Sequence, residues 1–119
     1  MTLAEKLQLR AGQGIAVLHA PPDLALDLSD AESDPGAAAS ADAVLVFVGG
    51  SSDLAERSDA FVAAARRDGL AWIAYPKAGQ LGTDLGRDSL ARTLEASAIR
   101  PVRQISIDDV WSALRFRPA

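Results

Sequence analysis

Three runs of apolar residues are the clearest pattern along the chain. They are "GIAVLHAP" (residues 14–21), "DAVLVFV" (42–48) and "LAWIAYP" (70–76). Each run is short and almost continuously hydrophobic, which is typical of strands covered on both faces. Pro21 and Pro22 end the first run, because proline cannot donate a hydrogen bond to a neighbouring strand. We therefore predict three buried strands.

Helical patterns lie before and between these runs. Thr2 and Glu5 have the spacing of a capping box at the start of a short helix. Residues 53–69 and 89–98 carry leucine, phenylalanine and alanine at helical spacing. Near the C-terminus, "VRQISI" and "WSALRFRP" alternate between apolar and polar positions and are joined by "DDV", a pattern that predicts an antiparallel hairpin.

Strands that alternate with helices favour an α/β fold with parallel strands. We predict a single domain over residues 1–119, with a small Rossmann-like, mostly parallel sheet of about five strands and flanking helices. The antiparallel C-terminal hairpin is expected at the edge of the sheet. Its Arg115 and Arg117 would then discourage edge-to-edge aggregation.

An acidic stretch separates the first two apolar runs. Residues 23–42 contain no base. Leucine occupies every second position within residues 24–28, and whether these residues form a strand is left open. Residues 30–41 have almost no large apolar side chain to bury, so we expect an acidic, mobile loop there.

Composition excludes several function classes. Cysteine is absent and His19 is the single histidine, which excludes disulfides, thiolate zinc sites and multi-histidine metal sites. The net charge of −4 is uneven, with −5 over residues 1–42 and +1 over residues 43–119. Because phosphate backbones require a concentrated basic face, we expect no nucleic-acid binding.

The sequence offers no long apolar segment for a membrane and no signal-peptide pattern, so a cytoplasmic protein is expected. The first strand runs into "LHAPPDL" rather than a glycine-rich turn. Without a G-x-G-x-x-G pattern, the cradle for a dinucleotide or for adenosyl-methionine is missing, and we expect no cofactor.

A site, if present, is expected at the carboxyl edge of the sheet, where ligands of open parallel sheets bind. The predicted strands bring four segments to that edge. They are His19 to Pro22, Gly49 to Ser52, Tyr75 to Thr83, and Asp108 to Trp111.

The loop "YPKAGQLGTDLGRD" (residues 75–88) is the most chemically suggestive of these segments. Lys77 precedes the glycines, so the loop lacks the order of a phosphate-binding P-loop. One interpretation is a plain strand-to-helix connection in which Asp84 or Asp88 caps the helix. A second is a small-anion site formed by Lys77 and the helix start. A third is an acid–base pair of Lys77 with Asp84. We also expect Lys77 to pair with Asp84 or Asp108 in a partly buried network.

Four phrases, "LQLRAGQGIAVLHAPPDL", "DAVLVFV", "LAWIAYPK…TDL" and "SIDDVWSALRF", resemble a family of small bacterial α/β domains of unknown function. The family carries a "(W/Y)PK" strand end, a "TDL" turn and an "(I/V)DxxWSxL" hairpin. The resemblance covers nearly the whole chain apart from the acidic region. It singles out Lys77, Thr83, Asp84, Leu85, Asp108, Trp111 and Ser112.

The chain departs from this family in two places. Many members have a second lysine and serine-glycine after "PK", where this chain has "AGQLG", and many have glycine where this chain has Ala113. The first departure weakens the anion-binding interpretation. In topology the chain also resembles the later half of a Rossmann-like methyltransferase, which likewise finishes with a helix and an antiparallel hairpin.

The leading hypothesis is a non-catalytic binding or protein-interaction module, because no metal set, nucleophile elbow or cofactor loop is found. The alternative is a small-molecule enzyme acting on an anionic ligand, or a degenerate methyltransferase-like protein. Its site would use Lys77, Asp84 and Asp108 at the rim, which is the carboxyl edge of the sheet. The partner would be a small anion or a protein, and a homodimer is compatible with the sequence. The candidate ligand-binding residues are Lys77, Thr83, Asp84, Asp108, Trp111 and His19.

Overall fold

The computed structural model describes residues 2–24, 26, 28 and 31–119, and this part of the chain forms five strands and four α-helices. The helices are α1 (Leu3–Lys6), α2 (Ser51–Arg57), α3 (Asp59–Arg66) and α4 (Arg87–Glu95). The strands are β1 (Ile15–Leu18), β2 (Ala43–Phe47), β3 (Leu70–Pro76), β4 (Ile99–Ser106) and β5 (Trp111–Pro118), and a 3-10 helix (Pro35–Ala39) lies between β1 and β2.

The three predicted buried strands and the C-terminal hairpin are confirmed. The helix predicted over residues 53–69 is instead two helices that meet at Ser58.

The five strands form one sheet in the order β1-β2-β3-β5-β4. The pairs β1–β2 and β2–β3 are parallel, whereas β3–β5 and β5–β4 are antiparallel. The sheet is therefore mixed, and the prediction of a mostly parallel sheet is only partly right. The reason is that the hairpin folds back, so that β5 lies between β3 and β4.

This order confirms that the hairpin lies at one edge of the sheet, but it corrects the placement of two of its arginines. Arg115 and Arg117 lie on β5, an internal strand, and not at the edge. The edge strand is β4, which carries Arg100, Pro101 and Arg103. Charges and a proline on an edge strand oppose pairing with a second sheet. Protection of the edge thus falls to β4.

Both faces of the sheet are covered, as the unbroken burial of β1, β2 and β3 requires. On one face, α3 and α4 pack Phe61 and Leu90 against strand residues that include Phe116. The rings of Phe61 and Phe116 meet edge to face with centroids 5.4 Å apart. This face holds the larger of two core clusters.

The second cluster covers the opposite face, where the N-terminal segment packs on Trp72. Trp72 in β3 is fully buried, and its indole Nε1 donates a hydrogen bond to the carbonyl of Leu7 at 3.1 Å. Leu7 is also fully buried. Since α1 is only one turn long, this tether and the burial of Leu7 hold it on the sheet, rather than any helical stability of its own.

The acidic segment makes several specific contacts with the rest of the fold. Glu32 exchanges backbone hydrogen bonds with β1, from Val17 N at 2.7 Å and to the carbonyl of Ile15 at 2.9 Å. Further along, Ala38 is only 2% exposed. Arg67 Nη2 donates to the carbonyls of Ala38 and Ala41 at 2.8 Å and 3.2 Å. The mobility of residues 30–41 stays a prediction, and Asp30 lies outside the described residues.

The candidate strand over residues 24–28 includes two positions outside the described residues, Ala25 and Asp27. Its three leucines are partly buried and pack against the second cluster. These leucine side chains therefore help to cover the face of the sheet that carries the second cluster. Across the described part of the chain, no helix has both the length and the apolar surface needed to cross a bilayer.

Candidate functional site

The loops that follow β2 and β3 and the turn of the hairpin meet at the carboxyl edge of the sheet. Asp84, in the loop after β3, accepts a hydrogen bond from the backbone of Ser51, which follows β2. Lys77 N donates to the carbonyl of Val110 in the hairpin turn at 2.7 Å. The predicted convergence of distant segments at this edge is therefore present for these loops.

Lys77 is fixed by the hairpin and not by a carboxylate. Its ammonium donates to Ser106 Oγ at 2.8 Å, and that hydroxyl donates in turn to the carbonyl of Asp108 at 3.1 Å. None of the ion pairs among the described residues includes Lys77. The predicted pair of Lys77 with Asp84 or Asp108 is wrong, because both carboxylates accept their hydrogen bonds from other donors.

Asp84 ties the loop after β3 to the start of α2. Its Oδ1 accepts from Ser51 N at 2.9 Å, and its Oδ2 accepts from the Ser51 hydroxyl. These hydrogen bonds hold the pKa of the Asp84 carboxyl below its ordinary value. Thr83 supports the same turn, since its Oγ1 accepts from Leu85 N at 3.1 Å.

The helix that follows is capped differently from the prediction. Neither Asp84 nor Asp88 caps α4; Ser89 Oγ accepts from Gly86 N at 2.9 Å and donates to the carbonyl of Gly86 at 3.1 Å. Asp88 is an exposed residue of the first helical turn. The cap escaped prediction because a serine inside the helix supplies it.

The Asp84–Ser51 contact predicts a specific acid sensitivity. The pKa of the Asp84 carboxyl is lower in the folded protein than its value of 3.8 in the unfolded chain. The contact therefore stabilises the fold at pH values above 3.8, and this stabilisation is lost as the pH falls through the pKa of the folded state. Asp84→Asn should therefore be less stable than the wild type at about pH 7, and the gap should narrow as the pH falls below 3.8. Urea denaturation at about pH 7 and at an acid pH measures it.

The control for this experiment is Asp88→Asn, which removes an exposed carboxylate whose one ion pair, with Arg87, is 3.8 Å long. Its stability should track the wild type at both pH values. A gap between wild type and Asp84→Asn that is equally large in acid would contradict the assigned role.

Asp108 closes the hairpin turn. Its Oδ1 accepts hydrogen bonds from the N–H groups of Val110 at 2.8 Å and Trp111 at 2.7 Å. Trp111 is 8% exposed and meets Phe47 edge to face, with ring centroids 5.1 Å apart. The turn thus fixes an aromatic side chain at the rim, where one edge of it reaches a surface groove.

His19 has a conformational role. It lies directly after β1 with a φ of 62°, in the left-handed region that histidine enters more readily than most residues. Its side chain is exposed and makes no hydrogen bond with any described residue. It lines neither of the pockets found at this edge.

Two of the pockets that described residues line lie at the carboxyl edge. The first, called the apolar groove below, has a volume of about 380 Å³. It is lined by Pro21, Asp23, Leu24, Leu81, Asp108, Val110 and Trp111. The second, called the Lys77 pocket, has a volume of about 330 Å³. It is lined by Tyr75, Lys77, Ala78, Gly86, Arg87, Gln104 and Ser112. Lys77 and Asp108 therefore face different pockets.

The Lys77 pocket contains a phenol that sequence reasoning missed. Tyr75 is almost fully buried, and burial raises the pKa of its hydroxyl. Gln104 Nε2 donates to that hydroxyl at 3.0 Å. One signal was available in the sequence, because the alternation along β4 places the polar side chain of Gln104 on the same face of the sheet as Tyr75.

Leu81 was also missed as a site residue. It stands between two glycine-containing turns in the sequence "GQLG" and is 67% exposed. Its φ of 53° lies in the left-handed region, which is strained for leucine. The available signal was a large apolar residue placed between two glycines of the loop, Gly79 and Gly82.

No group of three or more histidine, aspartate or glutamate side chains with the arrangement of a metal site occurs among the residues that the structure describes. No family model, no curated protein and no solved structure matches the chain. The chemistry of the residues that line these pockets is therefore the basis for the function proposed here.

Proposed function

We propose that the protein is a non-catalytic interaction module that binds a segment of a partner protein in the apolar groove. One observation carries the proposal. Among the described residues, Leu81 is the only large hydrophobic side chain that is exposed, and it stands at the wall of this groove. Burying an exposed leucine contributes about 1.5–3 kcal/mol, and Leu24, Val110 and Trp111 extend the apolar surface beside it.

The hydrogen bonds of the rim support a binding role over a catalytic one. Lys77, Asp84 and Asp108, the residues that an enzyme would use, each hold a neighbouring turn or loop in place. A general acid or base needs to reach the proton that it transfers. The hydrogen bonds of these side chains stabilise the loops around the groove, which favours a structural role for them over proton transfer.

The charge of the groove limits the partner. Its charged lining residues are Asp23 and Asp108, and no lysine or arginine lines it. Electrostatic complementarity favours a partner with opposite charge around an apolar contact. We therefore propose a segment that presents a large apolar side chain next to lysine or arginine.

Peptide selection tests this proposal. A random peptide library displayed on phage is selected against the immobilised protein, and the affinity of enriched peptides is measured by calorimetry. The peptides should combine apolar and basic residues. Leu81→Asp should weaken them by about tenfold or more, because it removes the apolar contact and adds a charge. Aspartate is tolerated in the left-handed region, so the variant should fold.

Gln80→Asp is the matched control, because it places the same charge on the adjacent exposed residue, which does not line the groove. It should leave the affinity nearly unchanged. Peptides that bind Leu81→Asp as tightly as the wild type, or a selection that enriches no peptide, would overturn the proposal.

A second candidate function is binding of a small anion in the Lys77 pocket, in keeping with the enzyme alternative. Lys77 and Arg87 both line this pocket, and no acidic side chain does. It also includes Gly86, at the amino end of α4, where the helix dipole is positive. An ammonium has three donors and only one is used by Ser106, so Lys77 retains donors for an anion.

We also propose that the chain belongs to the family of small bacterial Rossmann-like domains that its motifs resemble. The contacts of those motif residues support this, since Thr83, Asp84 and Asp108 each stabilise a turn at the rim. The helix α4 followed by the hairpin of β4 and β5 supports the topological likeness to the end of a methyltransferase fold.

A further inference from the structure

A further pocket lies at the amino edge of the sheet, opposite the carboxyl edge. It has a volume of about 560 Å³ and is formed by the turns that precede β1, β2 and β3 together with the end of β5. We call it the amino-edge pocket. Its lining includes Gln8, Arg10, Asp42, Arg67, Asp68 and Arg115.

Arg115 has a buried donor without an acceptor. Its Nη1 donates to Gln8 Oε1 at 2.6 Å, whereas its Nε is buried and has no hydrogen-bond partner among the described residues. A buried donor of a charged group that lacks an acceptor is costly, and native proteins leave few of them. The Nη2 group of the same guanidinium makes no hydrogen bond with any described residue and is not buried, so it is the donor that a ligand in the pocket can reach.

The charges around the pocket are unbalanced in favour of an anion. Asp68 is already bound by Arg117, whose Nε and Nη2 donate to its two oxygens at 2.8 Å and 3.0 Å. Asp42 accepts from Gly14 N at 2.8 Å. Arg10, by contrast, makes no side-chain hydrogen bond or ion pair with any described residue.

The hairpin adds like charges to this end of the molecule. In the antiparallel register, Arg103 stands opposite Arg115 and Arg100 stands opposite Arg117. Like charges at directly opposite positions are destabilising. Burial, followed by the charge of Arg117 and then that of Arg103, lowers the pKa of Arg115, while Asp68 raises it. An anion beside Arg115 would relieve this repulsion.

We propose that the amino-edge pocket binds a small molecule through a carboxylate or phosphate group that accepts a hydrogen bond from Arg115 Nη2. A guanidinium suits both groups, because its N–H donors form a planar fork that matches their oxygens. Arg67, held in place by the carbonyls of Ala38 and Ala41, supplies a second fixed positive charge. The pocket volume lies in the range of small-molecule sites.

Asp42 narrows the class of ligand. Its second carboxylate oxygen remains as an acceptor in the same pocket, since the hydrogen bond from Gly14 goes to Oδ2. A polyanion would be repelled by this carboxylate. A ligand with one anionic group and a hydroxyl or ammonium nearby satisfies both Arg115 and Asp42. The proposal goes beyond the groove and the Lys77 pocket, which lie at the opposite edge.

The arginine Nε–Hε resonances of the ¹⁵N-labelled protein test the proposal directly. The protein is titrated at low ionic strength with inorganic phosphate, with glycolate, and with ethylene glycol as an uncharged analogue. The Arg115 resonance should shift in a saturable way with phosphate or glycolate, and not with ethylene glycol. A response to phosphate alone assigns a phosphate group, and a response to glycolate alone assigns a carboxylate.

Arg115→Lys keeps the positive charge but removes the planar guanidinium and its Nη2 donor, and it should lower the affinity about tenfold or more, read from the remaining arginine resonances. Arg66→Lys, an exposed neighbour of Arg67 that does not line the pocket, should bind as the wild type does. Lys77→Met should also leave the Arg115 response unchanged.

Three results would overturn the proposal. They are an Arg115 resonance that does not saturate with either anion, full affinity in Arg115→Lys, or loss of the response in Lys77→Met. The last result would move the anion to the Lys77 pocket. The first of these results is read from the wild-type protein, so it does not depend on the folding of any variant.

Discussion

Replacing Trp72 by alanine is expected to lower the free energy of unfolding by about 3–5 kcal/mol, the usual cost of emptying a large buried aromatic site. Trp72 is fully buried in β3 and contacts the second core cluster. The substitution also removes the donor that the carbonyl of Leu7 uses. Because α1 is a single turn held by that contact, it should detach before the sheet unfolds.

Urea denaturation followed by circular dichroism measures this loss, and hydrogen exchange at the amides of Leu7 and Leu9 reports the release of α1. Trp72→Phe separates the two contributions, since it keeps most of the ring but leaves the Leu7 carbonyl without its donor, at a cost of about 1–3 kcal/mol. A Trp72→Ala protein as stable as the wild type would contradict the assigned packing.

Asp108→Ala should be the most destabilising change among the charged residues of the rim, at about 1–3 kcal/mol. The Oδ1 of Asp108 accepts from both Val110 N and Trp111 N, so its loss leaves two backbone donors without their acceptor. The turn should then loosen, and the edge-to-face contact between Trp111 and Phe47 should weaken. Denaturation measures the loss of stability, and the indole N–H resonance of Trp111 in the ¹⁵N-labelled protein reports the weakened contact.

Asp109→Ala is the control, because Asp109 is adjacent, exposed and accepts no hydrogen bond from a described residue. It should change stability by less than about 0.5 kcal/mol. Asp108→Asn keeps a carbonyl oxygen and should fall between the two. Equal stability of Asp108→Ala and Asp109→Ala would show that the turn does not depend on the carboxylate.

The sequence predicts those parts of the fold that depend on local patterns. Continuous apolar runs predict β1, β2 and β3, and alternation with a short connection predicts the β4–β5 hairpin. The position of β5 inside the sheet could not be predicted in this way, because strand order depends on contacts between distant segments. Arg115 and Arg117 were consequently assigned to an edge that β4 occupies.

For the candidate site too, local patterns were predictable from the sequence and contacts between distant segments were not. The meeting of loops at the carboxyl edge follows from parallel strands and was predictable. The partner of each side chain was not, since Asp84 binds Ser51 and Lys77 binds Ser106, each from a different loop. The amino-edge pocket had no local signal at all, because Arg10, Arg67 and Arg115 come from three separate parts of the chain.

The internal position of β5 has a consequence for how the protein is made. Until residues 111–118 leave the ribosome, β3 has an unpaired side and β4 has no neighbour, so the nascent sheet stays open at its middle. Open strand edges on a partly folded chain invite aggregation. Chaperone dependence during translation, and poor tolerance of nicks within β5, should therefore accompany this topology.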